Sequence, residues 1–150
     1  MAMDESKLKV FIEGATRYFV QVTRLSAEVG TPYLSETNET LAYDMTGIIG
    51  ISGGRKGVVY FTAPTNMLRS VLINMGERDV THDMRLDLVG EIANTIAGNA
   101  RAEFGSEFMI SVPVVVAGAL ETVRLPKDIR AFVIPITWHS QRAAVIIALE

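Results

Sequence analysis

Glu91 and Asn94 lie three residues apart within the stretch GEIANTIAG, residues 90–98, which is otherwise largely apolar and is bounded by glycine at each end. Asparagine is a mediocre helix former and glycine a poor one, so the segment departs from what helix stability alone selects. On a helix, residues three apart are neighbours on one surface stripe, and Gly98 continues that stripe one turn later. Ile92, Ala93, Ile96 and Ala97 then face the other way, into a core. The pair therefore projects from a well-anchored element, with Gly98 leaving room for another backbone to approach. That geometry suits docking or catalysis by positioning. A carboxamide both donates and accepts without needing a particular protonation state, and a carboxylate can pair with a cation. Taken alone, E-x-x-N is a short pattern that arises by accident, and two polar residues on an exposed helix face are the simpler account of it.

Other groups offer less. Asp83, Asp87 and Glu91 fall at i, i+4 and i+8 and can share one helix face. Three carboxylates are too few for a dedicated hard-cation site, so a solvated acidic face near a helix N-terminus is the simpler reading. His82 and His139 are far apart in sequence, and neither has a spaced ligand partner. His139 and Ser140 adjoin, but successive strand residues point to opposite faces, which excludes a nucleophile–base pair. GISGGRKG superficially resembles a phosphate-binding loop, yet it lacks the Gly-Lys-Ser/Thr order and no helix follows directly. A hairpin turn is the better reading.

The elements that must position these residues follow from periodicity. DESKLKVFIEGATRYFVQVTRL places Leu8, Phe11, Ile12, Ala15, Phe19 and Val22 at helical spacing, predicting an amphipathic helix of about five turns. SAEVGTPYLSETNET reads as a loop, leading to a strand near residues 37–44. Two β-rich runs, 42–52 and 57–62, flank the turn GGRK. Pro64 and Gly76 bracket a short helix. A long helix begins at the N-cap Thr81 and ends at Gly105, with Met84, Leu88, Ile92, Ile96 and Ala100 as its apolar stripe. FMISVPVVVAG, RAFVIPITWH and AAVIIAL read as three strands, Pro113 and Pro135 marking edges or bulges. Helix, strands, two helices, strands predicts an α+β fold: a single two-layer domain over residues 1–150, its helices packed on a mixed, largely antiparallel sheet.

Composition narrows the function classes. At 150 residues and 49% apolar content the chain can bury a real core. A net charge of −3 provides no basic field for nucleic acid or an anionic membrane. No cysteine is present, which removes disulfides, thiolate zinc sites and a cysteine nucleophile together. The N-terminus MAMDESKLKV does not read as a secretory signal, and no run approaches the ~18 apolar residues of a membrane span, so the expected compartment is the cytoplasm.

In its wider context the motif becomes recognisable. LVGEIANTIAGNA resembles the signature helix of the CheC/CheX/FliY family of chemotaxis phosphatases, and the single-motif layout is most similar to CheX. The resemblance continues through GIIGISGGRKGVVYFTAPTNMLRSVLINM upstream and ISVPVVVAG downstream, so it covers about residues 40–120. It implies removal of the phosphoryl group from the aspartyl phosphate of a CheY-type response regulator. It makes Glu91 the motif acid, pairing with the receiver's lysine, and Asn94 the motif amide, orienting the attacking water. Mg2+ is expected in the partner receiver domain, with no cofactor bound by this chain, and a homodimer is expected from the layout of relatives. CheC-type members carry a second E-x-x-N. Here Glu13 is followed by Thr16 where that motif needs asparagine, so no second site is assigned. A non-catalytic dimeric receiver-binding module of the same fold is the alternative from a different class, and a small-molecule-binding domain is a third.

Overall fold

The computed structural model describes residues 5–35, 42–118 and 131–149. In chain order the elements are α1 (Glu5–Thr23), β1 (Glu28–Val29), β2 (Tyr33–Leu34), β3 (Met45–Gly53), β4 (Gly57–Ala63), α2 (Thr65–Asn74) and α3 (His82–Phe104). They continue with β5 (Phe108–Ile110), β6 (Val114–Ala117), β7 (Phe132–Trp138) and β8 (Gln141–Leu149). The strands form one eight-stranded sheet ordered β1-β7-β8-β4-β3-β5, with β2 also on β7 and β6 also on β3. Every pairing among the described residues is antiparallel, so the sheet is not mixed.

Strand alternation divides the interior. Ile49, Val59, Phe61, Val145, Ile147 and Ile134 join the buried faces of all three helices in one large cluster. The intervening positions Tyr60, Val133, Ala144, Ile146 and Ala148 form a smaller cluster on the opposite face. The helices thus occupy one face of the sheet, as a two-layer α+β fold requires.

The long helix matches its expected limits. The Thr81 hydroxyl accepts from the Met84 N–H at 3.1 Å, and Gly105, at φ +92°, closes the C-terminus with its N–H on the Arg101 carbonyl at 2.8 Å. Gly53, at φ +93°, turns β3 into β4 at GGRK, and a strand follows, which settles that stretch as a hairpin turn.

The strand boundaries depart from expectation in four places. The strand expected near 37–44 falls partly on 36–41, outside the described residues, and 42–44 are not strand. The stretch read as loop instead contributes β1 and β2, two residues each, paired to β7. Strands so short carry no periodicity and exist only because the edge of β7 is there to pair with. FMISVPVVVAG is two strands rather than one. Ile110 pairs with Ile51 and Val114 with Ile48, so this segment has one residue more than β3 between those pairs. That is a bulge, as Pro113 predicts, and it is tied by Gly50 N–H to Ser111 Oγ (2.8 Å) and Ser111 N–H to the Gly50 carbonyl (2.9 Å). Pro135 falls between the β1 and β2 pairings, and its carbonyl accepts from Gly30 at 2.9 Å. His139 and Ser140 are not strand residues at all. Both have positive φ, +50° and +63°, and together form the two-residue turn between β7 and β8.

One contact sets the height of α3 above the sheet. A Cβ on Gly47 would lie 2.4 Å from the Val89 carbonyl oxygen, and one on Gly90 would lie 2.7 Å from Val115 Cγ1. Gly98 differs: a Cβ there meets nothing within 4 Å. Gly47→Ala is therefore expected to destabilise the fold by about 1–3 kcal/mol through forced separation of helix and sheet. Gly98→Ala should instead stabilise it by up to about 1 kcal/mol through helix propensity. Urea denaturation of the two variants checks both signs.

Candidate functional site

The inner face of α3 is locked before its outer face is considered. Leu88, Val89, Ile92, Ala93, Ile96, Ala97 and Ala100 are all buried, forming two adjacent i, i+4 rows against the sheet and α1. Glu91, Asn94 and Thr95 are left on the outer face, all exposed, with Gly98 half-buried one turn on. The Thr95 hydroxyl donates to the Glu91 carbonyl at 2.9 Å, a bond within the helix that leaves both motif side chains free. Among the described residues neither the Glu91 carboxylate nor the Asn94 amide has a hydrogen bond or ion pair.

The second helix of the site is α1, which lies antiparallel to α3. Phe11 stands beside Phe104 with ring centroids 6.0 Å apart, and a Cβ on Gly14 would come 3.2 Å from the Asn99 amide nitrogen. Asn99 ties the helices further: its amide donates to the Val10 carbonyl at 3.2 Å, and its oxygen accepts from Arg17 at 3.0 Å. Continuing that alignment brings Tyr18 opposite the Glu91 turn. Tyr18 is 3% exposed, and its hydroxyl is raised well above the usual phenol range, by burial first and by the Glu91 charge second. Tyr18 and Asn99 played no part in the sequence reading. The spacing Phe11, Ala15, Tyr18 holds the signal that α1 faces inward there, but nothing local shows that its neighbour is Glu91.

The remaining sequence candidates stay apart from this face or contribute nothing to it. Asp83 and Asp87 are exposed on the first turns of α3, and among the described residues no group of three or more His, Asp or Glu side chains could hold a metal ion. His82 is the exposed first residue of α3, whereas His139 lies in the turn beside Trp138, with ring centroids 5.5 Å apart. Thr16 bonds back to the Ile12 carbonyl at 3.0 Å, within its own helix. A cavity of about 170 Å3 lined by Gly54, Arg55, Phe104, Glu107 and Phe108 lies at the C-terminal end of α3. The helical rise puts that end on the order of 20 Å from Glu91. The motif side chains are exposed on a helix packed on its opposite face. Two exposed polar side chains on a rigid element can enter another molecule's site, whereas a small-ligand site needs an enclosing pocket.

No helix among the described residues is long and apolar enough to cross a membrane. Comparison with known proteins gives a consistent picture. Residues 45–137 match the family described as chemotaxis phosphatase CheX. No curated protein matches the chain. Among solved structures, the chemotaxis protein CheX from Vibrio vulnificus is similar at 26% identity and a TM-score of 0.82, covering 97% of this chain and 99% of that one. CheX from Desulfovibrio desulfuricans is similar at 25% identity and a TM-score of 0.84, with the same coverage of 97% and 99%. A CheX–CheY–BeF3–Mg2+ complex from Borrelia burgdorferi shares the fold at 18% identity and a TM-score of 0.80, covering 96% and 97%. With the family match spanning more than half of its length and its fold shared throughout, this chain belongs to the chemotaxis phosphatase CheX family.

Proposed function

We propose that this protein is a phosphatase that hydrolyses the aspartyl phosphate of a CheY-type receiver domain, the whole chain of 150 residues acting as one domain of this kind in the cytoplasm. The observation that carries the reading is the projection of Glu91 and Asn94, side by side and without partners among the described residues, from a helix whose opposite face is packed. Family membership supports it, as does the capture of a fold relative from Borrelia burgdorferi with CheY, BeF3 and Mg2+.

In this reaction a water attacks phosphorus as the bond from phosphorus to the aspartyl oxygen breaks. The carboxylate returns to the receiver, and the water's proton leaves with inorganic phosphate. Asn94 accepts from and donates to that water, holding it in line, so that catalysis by this chain is positional. Glu91 pairs with the receiver's lysine and sets the depth and register of insertion. Gly98, which no contact among the described residues requires, admits the receiver's backbone. The Mg2+ belongs to the receiver, where it offsets charge on the phosphoryl group. Glu91 and Asn94 are too few for a cation that demands octahedral coordination, so this chain binds no cofactor itself.

The test is to follow loss of acyl phosphate from phosphorylated CheY-type receivers with Mg2+ present, with and without this protein. Acceleration is expected, together with no tight Mg2+ site on the isolated protein by calorimetry. Saturable receiver binding without acceleration would instead establish the non-catalytic module.

The same reading includes a homodimer. β6 is paired only to β3 among the described residues, and the edge it forms with the bulge exposes Val112 (80%) and Val114 (57%). An apolar open edge is safer paired than exposed. Light scattering at micromolar concentration is expected to give the mass of two chains, and a 16.4 kDa species would overturn this.

A further inference from the structure

Tyr18 is buried on α1 where that helix packs on α3, and among the described residues its hydroxyl has no hydrogen-bond partner. Its ring is fixed edge-on to Phe19, with centroids 5.5 Å apart and planes at 90°. A phenylalanine would fill this volume without leaving a polar atom unpaired, so the fold of the free protein gives the hydroxyl no use. The antiparallel packing of α1 on α3 sets Tyr18 against the turn that Glu91 begins, and the Glu91 charge acts on the phenol across that contact. Burial and that charge together keep the phenol protonated, and hence a donor, throughout the working pH range.

We propose that Tyr18 is a positioning residue for the phosphatase reaction, donating its hydroxyl to the Glu91 carboxylate in the docked complex and fixing the direction in which that carboxylate faces the receiver. This rests on the phosphatase reading. In the free protein Glu91 is exposed and hydrated. Docking strips that water, and a carboxylate can then take the phenol on one oxygen and the receiver's lysine on the other. The otherwise unpaired hydroxyl and the desolvated carboxylate satisfy each other at the moment the register of Asn94 must be set.

The experiment is a double-mutant cycle with Tyr18→Phe and Glu91→Ala. It reads kcat/KM on the phosphorylated receiver, affinity for the receiver loaded with BeF3 and Mg2+, and melting temperature. Tyr18→Phe is expected to lower kcat/KM and affinity by about tenfold, the scale of a bond to a charged acceptor. Its melting temperature should be unchanged or higher, since an unpaired buried hydroxyl is lost. In the Glu91→Ala background the same change should alter affinity by less than about twofold. A Tyr18→Phe protein with wild-type affinity and turnover would overturn the assignment, as would an equal loss in both backgrounds, because Tyr18 would then act on packing and not through Glu91. Glu91→Ala at wild-type affinity and rate would remove the proposed role of Glu91 and this inference with it. Glu91→Ala crippled beside an unaffected Tyr18→Phe would remove this inference alone.

Discussion

Asn94→Ala is expected to lose about a hundredfold or more of receiver dephosphorylation, some 2.7 kcal/mol of barrier, while binding to the phosphorylated receiver stays near wild type. The asymmetry follows from what the amide does. In the proposed role it touches a water that occupies its in-line position only for reaction, so removing the amide would cost transition-state stabilisation and little of the ground-state contact. The side chain is exposed and has no hydrogen bond among the described residues, so its truncation should cost less than about 1 kcal/mol of fold stability. The measurement is single-turnover loss of acyl phosphate with excess Asn94→Ala protein, alongside receiver affinity and a thermal melt. A folded variant with near wild-type turnover would end the phosphatase reading of this helix.

Glu91→Ala should fail differently, losing affinity and turnover together. A charge-assisted bond to the receiver's lysine is worth about 1.5–3 kcal/mol, so receiver affinity should fall by roughly 10–100-fold. Turnover at saturating receiver should fall as well, because register and docking share the same contact. Glu91→Gln keeps the shape and a neutral hydrogen bond, and should fall between wild type and alanine. Surface plasmon resonance against the BeF3-loaded receiver separates the affinity loss from the rate loss, and a variant that binds normally but turns over slowly would move Glu91 from docking to chemistry. Raised salt should weaken wild-type binding more than Glu91→Ala binding, because the variant has one fewer ion pair to screen.

The two glycines that bound the motif turn out to serve different ends. Gly90 is needed by the fold, since α3 sits too close to Val115 of β6 for any side chain there. Among the described residues nothing meets a Cβ at Gly98. Its helix cost therefore has no structural return there, which supports the proposed role in admitting a partner. The anchoring of α3 bears on function for the same reason. Two rows of buried side chains beneath Glu91 and Asn94 hold the pair in a fixed relation, so in the proposed complex the direction of insertion would be set before the receiver arrives.

Several features were legible in the sequence because their causes are local. Thr81 and Gly105 mark the ends of α3 through bonds within four residues, and the i, i+4 apolar rows dictate which face turns inward. Once that face is known, the outward direction of Glu91, Asn94 and Gly98 follows from helical geometry alone. The hairpin at GGRK and the bulge at Pro113 are equally local, one through positive φ and the other through a missing donor. What only the tertiary structure decided depends on contacts between segments distant in the chain. The two-residue strands β1 and β2 exist because β7 offers an edge, and His139 and Ser140 are a turn because β7 and β8 pair up to Trp138 and Gln141. The approach of Gly47 to Val89 sets the depth of the long helix. The effect of the Glu91 charge on Tyr18 requires two helices separated by the whole first hairpin to pack antiparallel. Periodicity encodes which face of an element is buried; it does not encode which other element covers it, because that choice is made by the shapes of all the buried faces together.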